Sequence, residues 1–183
     1  MGLLGRLFGP SNQQPTSASS AALLPAPFLR AIDSLPGWML ARPSSHPPAE
    51  GAALSAGMDT FMRWERLFQA ACCGNCALSL GAMRLLTEPQ KAAAIQRVFA
   101  VVDRVDSANL PLMQGFMDYA VKRFQVNEAP EIAIGAWLLQ SVADAQPGSS
   151  QLRELASSSE MQRLHGTLVM NLTREWGRAF LAA

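Results

Sequence analysis

The chain has 183 residues, about half of them apolar, and a formal net charge of +1. That is enough for one domain with a sizeable core and a tail, and the charge balance excludes a general field toward nucleic acid or an anionic membrane. Thirteen of the fifteen cations are Arg, and with the Ala-rich composition this bias points to a bacterial source.

Residues 1–57 hold eight of the twelve prolines and many Ser, Gln and Ala. Such a composition does not pack a core and predicts a flexible N-terminal arm. Its first residues lack a signal-peptide layout, because Arg6 and Pro10 interrupt the apolar run. Arg6 also stands where a myristoylation pattern requires Ser or Thr. A cytoplasmic protein with reduced thiols is therefore expected. Two apolar islands interrupt the arm. Residues 2–9 offer Leu3, Leu4, Leu7 and Phe8, and residues 26–41 offer Phe28, Leu29, Ile32, Leu35, Trp38 and Leu40. Phe28, Ile32 and Leu35 fall at i, i+4 and i+7, the spacing of a short amphipathic helix. These ten residues are the candidate partner-binding set, because aromatic anchors in an arm fit a protein partner. The alternative is that 26–41 packs on the chain's own body. The 2–9 segment also permits peripheral membrane contact.

From Met58 on, the periodicity is helical, and residues 58–183 read as a bundle domain. Phe61, Trp64, Phe68, Cys72, Ser79, Met83 and Leu86 trace one stripe. Ala70, Gly74, Ala77 and Gly81 trace a second one of small residues that admits a close helix neighbour. One helix over 58–86 is predicted, or two with a break at Gly74-Asn75. Thr87 and Gln90 have the spacing of a capping box and open a helix with Ile95, Val98, Phe99, Val102 and Val105 on its face. After a break at 106–111 comes a helix presenting Leu110, Met113, Met117, Ala120 and Phe124. Asn127 is placed to cap the next helix, which carries no charge between Glu131 and Asp144. Apolar residues on every side, including Ile132, Ile134, Trp137, Leu138, Leu139 and Val142, predict an enclosed central helix. A turn at 146–150 and a short helix at Leu152–Ala156 follow. Ser157 and Glu160 repeat the capping-box spacing, and the last helix shows Met161, Leu164, Leu168, Leu172, Trp176 and Phe180. No two-residue alternation of useful length occurs. The expected fold is all-α, a five- or six-helix bundle behind the arm.

Three cysteines crowd into residues 72–76, "CCGNC". On a helix, Cys72 and Cys76 share the face of the Phe61–Phe68 stripe, and buried cysteine behaves as a small hydrophobe. Core filling is the favoured reading. The competing readings are a zinc site, with Cys72, Cys73, Cys76 and His165 as candidate ligands, and a redox C-x-x-C at Cys73–Cys76. Structural zinc wants four ligands at defined spacings, and no second pair is present. A redox pair normally opens a helix after a strand, where the dipole lowers the thiol pKa, whereas a helical pattern precedes this one. No cofactor or metal is assigned.

Other chemistry is sparse. His46 lies in the arm, and His165 reads as a boundary residue of the last helix. The residue three before it is Gln162, which excludes a Glu-x-x-His di-iron pattern. Gly-rich phosphate loops and the G-x-S-x-G elbow are absent. Residues 58–183 carry twelve cations and twelve anions, with basic pairs at Arg63/Arg66, Lys122/Arg123 and Arg174/Arg178. The expectation is a non-catalytic accessory, adaptor or scaffold subunit of a larger bacterial assembly. It would bind protein, self-association included, through the arm and its Met-bearing helix faces. The alternatives are a helical subunit of a nucleic-acid-containing complex and a thiol or metal site at Cys72–Cys76.

Overall fold

The computed structural model describes residues 24–35, 37 and 58–182. They form seven α-helices and no strand: α1 (Ala26–Asp33), α2 (Met58–Ala82), α3 (Glu88–Asp106), α4 (Asn109–Gln125), α5 (Pro130–Ala145), α6 (Ser150–Ser157) and α7 (Ser159–Leu181). The all-α expectation holds. Six of the helices lie in residues 58–182. The seventh, α1, raises the count above the expected five or six, because residues 24–35 pack on the bundle. None of these helices is long and apolar enough to cross a membrane.

α2 runs without a break through Gly74-Asn75, since both residues serve packing. Gly74 faces α4, where a Cβ would sit 2.5 Å from the Phe116 ring. The Asn75 amide donates to the Thr173 hydroxyl of α7 at 3.1 Å rather than to its own backbone. At the start of α3 the Thr87 N–H donates to Gln90 Oε1 at 3.0 Å, as the capping-box spacing predicts.

Two other helix ends differ from expectation. α7 is capped by Ser158, whose hydroxyl accepts from the Met161 N–H at 3.3 Å. Ser157 still belongs to α6 and donates to the Glu154 carbonyl at 2.8 Å, so no Ser157–Glu160 box forms. Asn127 terminates α4 instead of opening α5. Its φ is +59°, and the Asn127 and Glu128 N–H groups bond the Phe124 and Arg123 carbonyls at 3.1 and 3.2 Å. This is a Schellman closure with Asn in the left-handed position, the non-glycine residue that tolerates it best.

α5 is the enclosed centre, packed against α2, α4, α6 and α7. Its contact with α7 is the closest in the molecule. A Cβ on Gly135 would overlap the Gln162 backbone carbonyl, and a Cβ on Gly166 would overlap that of Glu131. The two glycines thus form a reciprocal crossing in which each Cα–H approaches a carbonyl of the opposite helix, a weakly favourable contact when repeated. This crossing fixes how α7 is turned. The buried face of α7 is His165, Gly166, Val169, Leu172, Thr173, Trp176 and Phe180. It shares Leu172, Trp176 and Phe180 with the expected stripe, and differs in the first half, where His165 and Val169 turn inward and Met161 and Leu168 are only partly buried. Leu164 is 37% exposed, whereas His165 is 1% exposed and is a core residue rather than a boundary one.

α1 rests on α3 and α7. Ile32 and Leu35 are completely buried, each such burial stabilising by roughly 1.5–3 kcal/mol. The Phe28 ring stacks on Phe180 at 4.6 Å between centroids. The Asp33 carboxylate takes two hydrogen bonds of 2.7 Å from the Arg97 guanidinium. The Ala31 carbonyl, in the last turn where no intrahelical partner exists, accepts from the Trp176 indole N–H at 3.1 Å and from Ser34 at 2.8 Å.

Candidate functional site

All three cysteines are free thiols on α2 and all are buried. Cys73, which lies aside from the Cys72–Cys76 face, is buried as well, because neighbouring helices cover α2 on several sides. Burial pushes the Cys73 thiol up to about 12. It raises Cys72 and Cys76 well above the ordinary range, their neighbouring thiols adding to the effect. The Thr173 hydroxyl donates to the Val169 carbonyl at 2.9 Å and accepts from Asn75 at 3.1 Å. Thr173 is also hydrogen-bonded to Cys76, a contact that lowers the Cys76 thiol without offsetting its burial. The cluster is a closed polar node inside an apolar core, with protonated sulfur at neutral pH, where metal binding and disulfide exchange both need thiolate.

His165 stands elsewhere. Its Nδ1 is 2.8 Å from the Met161 carbonyl, and its ring meets Trp64 edge-on at 6.3 Å. Thr173, which marks the level of Cys76, is two turns further along α7, about 12 Å at 1.5 Å per residue. The four candidate ligands therefore do not converge around one point. Among the described residues no three His, Cys, Asp or Glu side chains form a group able to hold a metal ion.

Of the ten candidate partner-binding residues, Leu3, Leu4, Leu7, Phe8, Trp38 and Leu40 lie outside the described residues. Ile32 and Leu35 are buried against the bundle, and Phe28 and Leu29 are half-buried there. For 24–35, the structure shows the packed alternative.

A site that the sequence did not indicate opens between α2, α4 and α5. It is a cleft of about 650 Å³ lined by Met62, Arg63, Arg66 and Leu67 of α2, Pro111, Leu112 and Gly115 of α4, and Trp137 and Ser141 of α5. Trp137 lies on its floor and is held edge-to-face by Phe116 at 5.2 Å. Met62 is half exposed at the rim. Arg63 and Arg66 are neighbours one turn apart on α2, and both are exposed. Arg66 comes within 4.0 Å of Asp106. Among the described residues the lining contains no His, Cys, Asp or Glu. It combines an aromatic floor, aliphatic walls and two guanidinium groups.

The other basic pairs lie apart from this cleft in chain position and role. Lys122 and Arg123 occupy the last turn of α4, where cations suit the helix dipole, and Arg123 also reaches Glu128 at 3.5 Å and covers the Tyr119 ring. Arg174 and Arg178 are exposed on α7. Comparison with protein-family models, with curated proteins and with solved structures finds no match to this chain, so the cleft itself is the guide to function.

Proposed function

We propose that this protein is a non-catalytic adaptor or scaffold subunit that binds a protein partner in the cleft between α2, α4 and α5. The observation that carries the reading is the lining: Trp137, Met62, Arg63 and Arg66 converge on one concave surface. Trp, Met and Arg are the residue types enriched at protein interfaces, and Trp and Arg are the commonest hot spots. The non-catalytic part rests on chemistry. The lining offers two guanidinium groups, which stay charged at all working pH values, and among the described residues no side chain that titrates near neutrality as a general acid or base. The apolar residues of 2–9 and 38–41 serve as a further attachment segment, as their composition suggests.

The test is isolation of the native complex from the source cell with the wild-type chain and with Leu112→Asp. Leu112 is half-buried in the wall of the cleft, and a carboxylate there places a charge in the apolar part of the interface. The expected result is a stoichiometric protein partner present with wild type and lost with the variant, at unchanged helical content. A partner retained by Leu112→Asp would refute the assignment to this cleft.

A further inference from the structure

The cleft also specifies the chemistry of its occupant. We infer that it receives an acidic amphipathic helix of a partner protein, with apolar side chains directed at Trp137 and carboxylates paired with Arg63 and Arg66. This inference rests on the docking reading above. Its walls are one turn of α2 (Met62 to Leu67) and one turn of α4 (Pro111 to Gly115), with α5 as floor. Walls of that length engage about one turn of a third helix, through apolar anchors at i and i+3/i+4. Gly115 leaves the α4 wall low: a Cβ there would meet nothing within 4 Å.

Charge selects among the possible occupants. Arg63 and Arg66 are both exposed, and the Arg66–Asp106 contact is long, at 4.0 Å, and half exposed. Such a pair contributes little and is readily exchanged for a better-placed bidentate carboxylate. The chain's own segments outside the structure, 1–23 and 38–57, carry Arg6, Arg42 and a single acid, Glu50, so they offer no acidic complement. A second copy docked symmetrically would bring Arg63 and Arg66 against their own kind.

The test uses the full chain and two fluorescein-labelled 16-residue synthetic helices. Both carry Leu at i, i+3/i+4 and i+7. One has Glu at the flanking positions and the other has Lys there. Anisotropy titration in low salt should show the Glu peptide binding at least tenfold tighter than the Lys peptide, with the difference shrinking as salt is raised. The double variant Arg63→Glu with Arg66→Glu should reverse that order. Gly115→Leu adds bulk to the cleft from a position where a Cβ meets nothing within 4 Å, and should weaken the Glu peptide at least tenfold. Circular dichroism checks that both variants stay folded. If both peptides bind the wild type equally and Gly115→Leu weakens both, the acidic-helix inference falls and the docking reading stands. If neither peptide binds, and the native partner is also insensitive to Gly115→Leu, both fall. Displacement of the Glu peptide by a ribo-oligonucleotide, with that displacement lost in the double variant, would overturn the inference in favour of nucleic acid.

Discussion

A thiol that keeps its proton in the folded chain ties stability to alkaline pH. The unfolded Cys73 loses its proton near 9.0, whereas the folded one keeps it to about 12. Between those values the unfolded chain binds fewer protons than the folded chain, so stability that is whole below pH 9 drains as pH rises toward 12. Each such group steepens the decline by up to about 1.4 kcal/mol per pH unit. Cys72 and Cys76 are raised in the same direction. Urea midpoints should therefore fall between pH 8.5 and 10.5 in the wild type, and the slope should be shallower by about one proton in Cys73→Ala. A pH-independent midpoint across that range would show that the thiols are exposed. Cys72→Ser should cost on the order of 1–3 kcal/mol at neutral pH, since it leaves a hydroxyl among apolar side chains, again read from urea unfolding. Cysteine burial was legible in the sequence, because Cys72 lies in register with Trp64 and Phe68. The burial of His165 was not. The stripe from Met161, Leu164 and Leu168 into Leu172, Trp176 and Phe180 matches the true face in its second half, and in the first half the Gly166 contact with α5 turns His165 and Val169 inward instead.

Glycines within helices show how one residue type serves opposite ends. Gly135 and Gly166 each face a backbone carbonyl, which has no rotamer with which to yield. Gly135→Ala and Gly166→Ala should each cost about 3 kcal/mol or more, by overpacking a crossing that can relax only by separating α5 from α7. Gly74→Ala meets the Phe116 ring, a side chain with some freedom, and should cost less, roughly 1–2 kcal/mol. Gly115→Ala meets nothing and should raise stability by about 0.5–1 kcal/mol through helix propensity alone. Thermal melts of the four variants give the ranking, and a benign Gly166→Ala would mean that α5 and α7 are not in contact at that turn. Helix existence and type were legible, carried by signals such as Thr87–Gln90 and the uncharged 132–143 segment. The tight crossing was not legible, because a glycine against a helix backbone and a glycine in open space look alike in one dimension. The small-residue stripe through Gly74 pointed to a close neighbour, which is the Phe116 side chain and not a helix backbone, while the backbone contacts at Gly135 and Gly166 lay in segments read only for their large side chains.

At the scale of the whole molecule, residues 24–35 belong with the bundle. Ile32→Ala should cost about 2–5 kcal/mol, as for other buried Ile residues. Removing residues 1–37 should lower the melting temperature by several degrees, because Phe180 and Trp176 would lose their cover and Arg97 its carboxylate. A truncated chain that melts like the parent would show that α1 adds nothing. Composition concealed this helix: four prolines at positions 25, 27, 36 and 43 mark the segment as arm, yet Pro25 and Pro27 fall before and in its first turn, where proline is tolerated. The cleft was hidden for a different reason. Its residues come from three helices at positions 62–67, 111–115 and 137–141, and no local pattern records that they meet. The manner of α1's attachment also sets a hierarchy of opening. Its eight residues are held by a few anchors on α3 and α7, whereas α5 is locked on several sides by neighbours that must move together. Amides in the last turn of α1 should therefore exchange with deuterium through a sub-global event of lower free energy than the one that exposes α5. The rate of that event is the rate at which the bundle presents the faces of Trp176 and Phe180 to water.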